Sequence, residues 1–167
     1  MGIDTRAAVA HGVTTSISAV TERDLRGVAA IERLAFSDPW SEKSFREALS
    51  HPAMYFVAAR SDGGEVLGYV VAWFVADEGQ IANLAVAPSG WGRGIGRALL
   101  TSALNEAASR GVRDIYLEVR ESNQRARRLY GSTGFQEVGR RRGYYRRPVE
   151  DAIVLRRTLE GREGSDV

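Results

Sequence analysis

In the run IANLAVAPSGWGRGIGRALL, Gly90, Gly92, Gly94 and Gly96 alternate where a strand passes into a helix. Glycine lets a backbone adopt positive φ and approach a ligand closely. The helix start beyond them supplies N–H donors and the positive end of a dipole, a combination that favours a phosphate group. Arg93 and Arg97 add two cations to the same turn. No Gly-Lys-Ser/Thr closes the loop, so it is not a P-loop. The dinucleotide fingerprint fails as well. Gly94-Ile95-Gly96 is followed by Arg97-Ala98-Leu99, which lacks the third glycine, and Glu118 lies inside the next strand instead of at its end. A turn that merely connects strand to helix stays open at this point.

Downstream, Ile115-Tyr116-Leu117-Glu118-Val119-Arg120 alternates, with Leu117 and Val119 on one face and Tyr116, Glu118 and Arg120 on the other. A carboxylate in the middle of such a strand is costly to bury without purpose. It suits a general base, and it suits a salt bridge to a nearby arginine equally well. Asn123 and Tyr130 are seven residues apart, two helical turns, and so share one face. Asn123 also sits where a helix begins, as a cap or as a ligand contact. Tyr130, beside Leu129, fits ordinary core, the usual fate of a helical tyrosine.

These residues need a frame, and the chain is long enough to build one. Its 167 residues fit a single domain, and 44% hydrophobic with 26% charged residues is an ordinary globular balance. No apolar run is long enough for a bilayer span, and the first residues lack a secretory signal, so a cytoplasmic protein is expected. Without cysteine there is no disulfide, thiolate metal site or Cys nucleophile, and His11 and His51 lack ligand spacing, so no metal is expected. From Arg110 to Arg157, 13 Arg stand against 6 Asp and Glu. Such a cluster fits RNA, acidic protein, a polyphosphate ligand or simply a solvated face. Nothing matches a named nucleic-acid-binding signature, and direct nucleic-acid binding is not expected.

The spacing predicts a strand at Ile17–Ala19, a near capping box at Thr21–Asp24 and a helix carrying Leu25, Val28, Ile31 and Leu34. Pro39-Trp40-Ser41 stops that helix and caps a second one bearing Phe45, Ala48 and Leu49. Strands follow at Met54–Arg60, Val66–Val75 and Gln80–Val86, then a helix from Gly96 to Arg110 with Gly111 as its C-terminal cap. A strand at Ile115–Val119, a helix at Gln124–Thr133 and strands at Phe135–Arg140 and Asp151–Leu159 complete the order. The expectation is one α+β domain over 15–159, with a mixed central sheet of about six to seven strands, helices on both faces, and disordered tails at 1–14 and 160–167.

The motifs LAVAPSGWGRGIGRALL, LEVRESNQRARRLYGSTGF, RRRGYY, EDAIVL and FSDPWSEKSF together resemble the GNAT acetyltransferases, and within them the RimI-type enzymes that acetylate protein N-terminal amines. The resemblance runs from about Ile17 to Leu159. The acyl-CoA signature Q/R-x-x-G-x-G/A falls on Trp91, Gly92, Arg93, Gly94, Ile95 and Gly96, with Trp91 in place of the usual Gln or Arg. That departure leaves the cradle to backbone N–H groups, with Arg93 and Arg97 as charged help. The resemblance further implies a GNAT fold and acetyl-CoA as co-substrate. It makes Glu118 the base and Tyr130 the acid near the CoA sulfur, and gives Asn123 and the strand residues Leu84, Ala85 and Val86 contacts to CoA. It also implies acceptor contacts at Tyr144 and Tyr145, whose rings would otherwise pack under the last strand; Trp40 reads as core. The implied acceptor is a protein N-terminus, above all the alanine of a small-subunit ribosomal protein. A lysine side chain, a small amine, or a non-catalytic domain binding acyl-CoA or RNA are the other readings.

Overall fold

Thr21 opens the first helical segment through a reciprocal cap. Its hydroxyl and backbone N–H both engage Asp24, the amide at 2.8 Å, over a short 3₁₀ turn at Glu22–Asp24. The computed structural model describes residues 6–10 and 13–159. Helix α1 (Leu25–Ala35) follows, with Leu25, Val28, Ala29 and Ile31 buried on one face. Ser41 then accepts the Ser44 N–H at 3.1 Å and starts α2 (Glu42–Ser50).

The strands are β1 (Arg6–Ala10), β2 (Val13–Ala19), β3 (Met54–Arg60), β4 (Val66–Val75), β5 (Glu78–Val86), β6 (Asp114–Arg120), β7 (Gln136–Arg146) and β8 (Val149–Thr158). Helix α3 (Ile95–Ser109) sits between β5 and β6, and α4 (Gln124–Ser132) between β6 and β7. Strand order is β1-β2-β3-β4-β5-β6-β8-β7, with β5 and β6 parallel and the β2–β3, β3–β4, β6–β8 and β7–β8 pairs antiparallel. Among the described residues this is a mixed α+β sheet, as expected, with eight strands where about six to seven were expected. The addition is β1, which falls within the expected disordered tail and pairs with β2 from Arg6↔Ile17 to Ala10↔Val13. A five-residue Ala-rich stretch has little strand propensity of its own, so only the pairing reveals it. The other positions of the expected tails, apart from residues 13 and 14 in β2, lie outside the described residues.

The chain divides into two compact units. One comprises the chain up to Trp73 together with Ala82–Ala103; the other comprises Phe74–Ile81 and the chain from Leu104 onward.

The first unit is centred on Phe45, which is fully buried. Its ring lies 5.3 Å from Trp40, 5.7 Å from Phe56 and 5.5 Å, edge-on, from Tyr69. Trp40 therefore belongs to the core. Beside it Glu32 is 1% exposed. Its carboxylate accepts the Tyr69 hydroxyl, the Asn83 side-chain amide at 2.7 Å and the Trp40 backbone N–H at 3.1 Å. Three donors from three parts of the unit make this burial tolerable. They tie the α1–α2 connection to β4 and β5.

Burial pushes the Glu32 carboxyl above its ordinary value of 4.5, while the Trp40 and Asn83 hydrogen bonds pull the other way. The folded chain thus holds this proton more tightly than the unfolded chain. Its contribution to stability is fully present below the unfolded value and is lost as pH rises through the raised folded one. Glu32→Gln should flatten that slope in thermal melts run from acid to neutral pH. Glu32→Ala leaves three buried donors without a partner and should cost about 3–5 kcal/mol. Equal melting temperatures for the two variants would rule this account out.

In the second unit, Ile115, Leu117 and Val119 of β6 and Ala152, Ile153 and Leu155 of β8 are buried. The β6–β8 register sets Glu118 opposite Val154.

Candidate functional site

The glycine-rich turn lies in the first unit. Chain direction changes after β5 through a 3₁₀ turn at Pro88–Gly90, and Gly92 and Gly94 then adopt φ of 74° and 75°. A Cβ added at either would meet nothing within 4 Å. The glycines are therefore required by conformation, and the space beside them is open. Arg93 is half-buried, Ile95 is buried, Gly96 is half-buried and Arg97 is exposed, so the loop runs straight into the dipole of α3. Trp91 is 52% exposed and donates its indole N–H to the Val86 carbonyl at 3.0 Å. The indole is thus pinned to the end of β5 and leaves any anion to backbone groups and arginines. On β5 itself, Ala85 is buried while Leu84 and Val86 are half-buried, the alternation of a strand with one side on the core.

The remaining predicted residues lie in the second unit. Alternation along β6 leaves Glu118 half-buried between buried Leu117 and Val119. Its Oε1 lies 2.8 Å from Nε of Arg141, and the Tyr144 hydroxyl donates to the same carboxylate. The salt-bridge reading of Glu118 is thus realised, and the partner is Arg141. Tyr144 is 49% exposed, and its hydrogen bond to Glu118, aided by partial burial, raises its pKa. Tyr145 stands edge-on to Tyr144 at 5.1 Å and carries the Arg120 guanidinium 4.3 Å from its ring centre. Burial, followed by the charge of Glu118, pushes the Tyr145 hydroxyl up to about 12. Arg120 also pairs with Glu150 at 3.1 Å. Two carboxylates, two phenols and two guanidinium groups are therefore brought together around the middle of β6.

On α4 the two candidates part company. Asn123 is the N-cap, outside the helix, and its Oδ1 accepts the Ala126 N–H at 3.2 Å. Its amide nitrogen and the second lone pair of that oxygen remain for a ligand. Tyr130 is buried edge-on against Phe135, with ring centres 5.7 Å apart. Burial first, and then Tyr145, raise its pKa above the usual phenol range. Core packing and a hydroxyl that burial holds protonated beyond the usual phenol range thus coexist in one residue. A cavity of about 270 Å³ also opens beside α4, lined by Gln124, Arg127, Arg128, Phe135, Glu137 and Leu155 among others. None of the predicted site residues lines it.

Much of the arginine excess is engaged within the unit. Arg140 pairs with Glu121 and Asp151 at 2.8 and 3.0 Å, and Arg127 and Arg157 donate to the carbonyls of Glu121 and Thr133. Arg120 and Arg141 were not singled out from the sequence, because their contacts depend on the register of β7 and β8 and on an irregularity between Arg141 and Tyr145. The sequence signal for Arg141 was the RRRGYY run, and for Arg120 its place on the strand face of Glu118.

Residues 25–135 match the Acetyltransferase (GNAT) family, a stretch that runs through both units. The chain is 38% identical over 144 residues to the [ribosomal protein bS18]-alanine N-acetyltransferase of Escherichia coli strain K12, covering 84% of this chain and 95% of that protein. It is 40% identical over 148 residues to the N-alpha-acetyltransferase RimI of Mycobacterium tuberculosis, covering 85% and 91%. Among solved structures, the ribosomal-protein-S18-alanine N-acetyltransferase from Escherichia coli superposes with a TM-score of 0.79 at 35% identity, covering 89% of this chain and 97% of that one.

Proposed function

Because the chain belongs to the acetyltransferase (GNAT) family, we propose that residues 15–159 form one catalytic domain that moves an acetyl group from acetyl-CoA to a protein N-terminal α-amine. The acceptor is the N-terminal alanine of a small-subunit ribosomal protein, the substrate named for its relatives, which would set the reaction in the cytoplasm. The observation that carries the chemistry is the burial of the two proton-handling groups. Glu118 offers a carboxylate whose side chain is 15% exposed, and Tyr130 offers a hydroxyl that burial keeps neutral.

The open cradle at Gly92 and Gly94, with Arg93 and Arg97, fits the pyrophosphate of acetyl-CoA. Trp91, Ile95 and Gly96 complete that turn. Leu84, Ala85 and Val86 would run beside the pantetheine arm, and the Asn123 amide nitrogen would reach the same ligand. Tyr144 and Tyr145 would contact the acceptor. In the reaction the acceptor ammonium gives a proton to Glu118, directly or through water, and its nitrogen attacks the thioester carbonyl. The new N–C bond forms as the C–S bond breaks; Tyr130 supplies the proton taken up by the departing thiolate, and the second proton that the nitrogen loses on becoming an amide returns through water to Tyr130. Transfer is direct within the ternary complex, without a covalent acyl-enzyme.

Mass spectrometry tests the reading. Incubation with acetyl-CoA and a panel of N-terminal peptides, some beginning with Ala, should place the acetyl group on the α-amine. Acetylation confined to lysine side chains or small amines would overturn it.

A further inference from the structure

The Glu118–Arg141 pair stands in the way of the reaction proposed above. A guanidinium does not give up its proton at any working pH, so a carboxylate engaged with one cannot also accept an incoming ammonium's proton through that oxygen. The two partners differ in how firmly they are held. Glu118 is fixed in the β6–β8 ladder opposite Val154, and its side chain is 15% exposed. Arg141 is 60% exposed, at the point where β7 departs from regular pairing with β8 before Tyr145. The backbone of that bend is anchored independently of Arg141: Gly143 adopts φ of 59° and donates its N–H to Asp151 Oδ1 at 2.9 Å. The Arg141 side chain is therefore free to swing about a fixed backbone. The Tyr144 ring, 5.8 Å from the guanidinium, provides a second surface for the cation.

We propose that Arg141 is a resident counter-cation for Glu118, occupying the place that an acceptor's α-ammonium takes, and that acceptor entry exchanges one cation for the other. This rests on the acyl-transfer reading of Glu118. Arg141 then determines specificity: it competes with every acceptor for one carboxylate, and only an amine that arrives protonated and correctly directed can displace it. The half-buried carboxylate is paired with a cation until the acceptor gives up its proton.

Arg141→Ala removes the competitor. At saturating acetyl-CoA it should lower the acceptor KM roughly three- to fivefold, in keeping with the modest strength of an ion pair with one exposed partner, while the acetyl-CoA KM stays put. Arg141→Lys keeps a cation and should restore the wild-type acceptor KM. Calorimetric binding of the same peptide to CoA-loaded protein provides a reading that needs no turnover. There the gain in Arg141→Ala should vanish for a des-amino peptide, which has no ammonium to exchange. An acceptor KM that is unchanged or higher in Arg141→Ala, or an equal gain for the des-amino peptide, overturns the exchange. If the wild type acetylates no N-terminus, the function proposed above fails instead, and the calorimetric comparison still decides whether Arg141 and an ammonium compete.

Discussion

Glu118→Gln lowers turnover on an N-terminal peptide by roughly a hundredfold or more at neutral pH, the usual scale for loss of a positioned general base. The substitution preserves shape and can still accept from Tyr144, so packing along β6 between Leu117 and Val119 is kept. What disappears is the site that takes the ammonium proton. A free α-amine has a pKa near 8. The deficit should therefore shrink as pH rises past that value, because more of the acceptor arrives already neutral. Initial rates from pH 6.5 to 9.5, for wild type and variant side by side, check this. A rate ratio that stays flat across that range would mean Glu118 is structural.

Tyr130→Phe slows turnover by about one to two orders of magnitude and leaves the fold almost unchanged, since general acid catalysis is worth at least that much. The ring of Tyr130 stacks edge-on with Phe135, and phenylalanine keeps that contact. Only the hydroxyl is lost. Burial holds the wild-type hydroxyl protonated beyond the normal phenol range, so it remains a competent donor throughout the alkaline limb in which an exposed tyrosine would ionise. The expected signature is a reduced kcat with an unshifted melting temperature. A normal kcat would assign Tyr130 to packing alone, and a large drop in melting temperature would show that the hydroxyl serves the fold.

Local rules carried the sequence reading where the cause is local. Ser41 caps α2, Gly111 takes φ of 79° at the end of α3, and β3 and β4 occupy the predicted spans Met54–Arg60 and Val66–Val75. Glu118 and Tyr130 stood out because a carboxylate within an apolar strand and a tyrosine on a helix two turns from Asn123 are visible without knowing what they touch. Errors arise where pairing decides. Strand β5 begins at Glu78, not Gln80, because Glu78 and Gly79 pair with Asp114 and Ile115 of β6. Strand β7 continues to Arg146 because β8 holds it there past the irregularity after Arg141. The Glu32 network was invisible for the same reason. Its partners Tyr69 and Asn83 lie 37 and 51 residues away and meet it only once β4 and β5 are assembled. Asn123 was open between cap and ligand contact until helix geometry showed its oxygen engaged.

Strand β7 ends the sheet order, and nearly all of its residues are exposed. An open edge of this length presents backbone groups to any second extended chain and invites edge-to-edge association. Arg140, Arg141, Arg142 and Arg146 set positive charges along it, and the irregular pairing between Arg141 and Tyr145 breaks its regularity. A strand added at this edge would thus meet a broken register and charged side chains, the features that discourage edge-to-edge pairing.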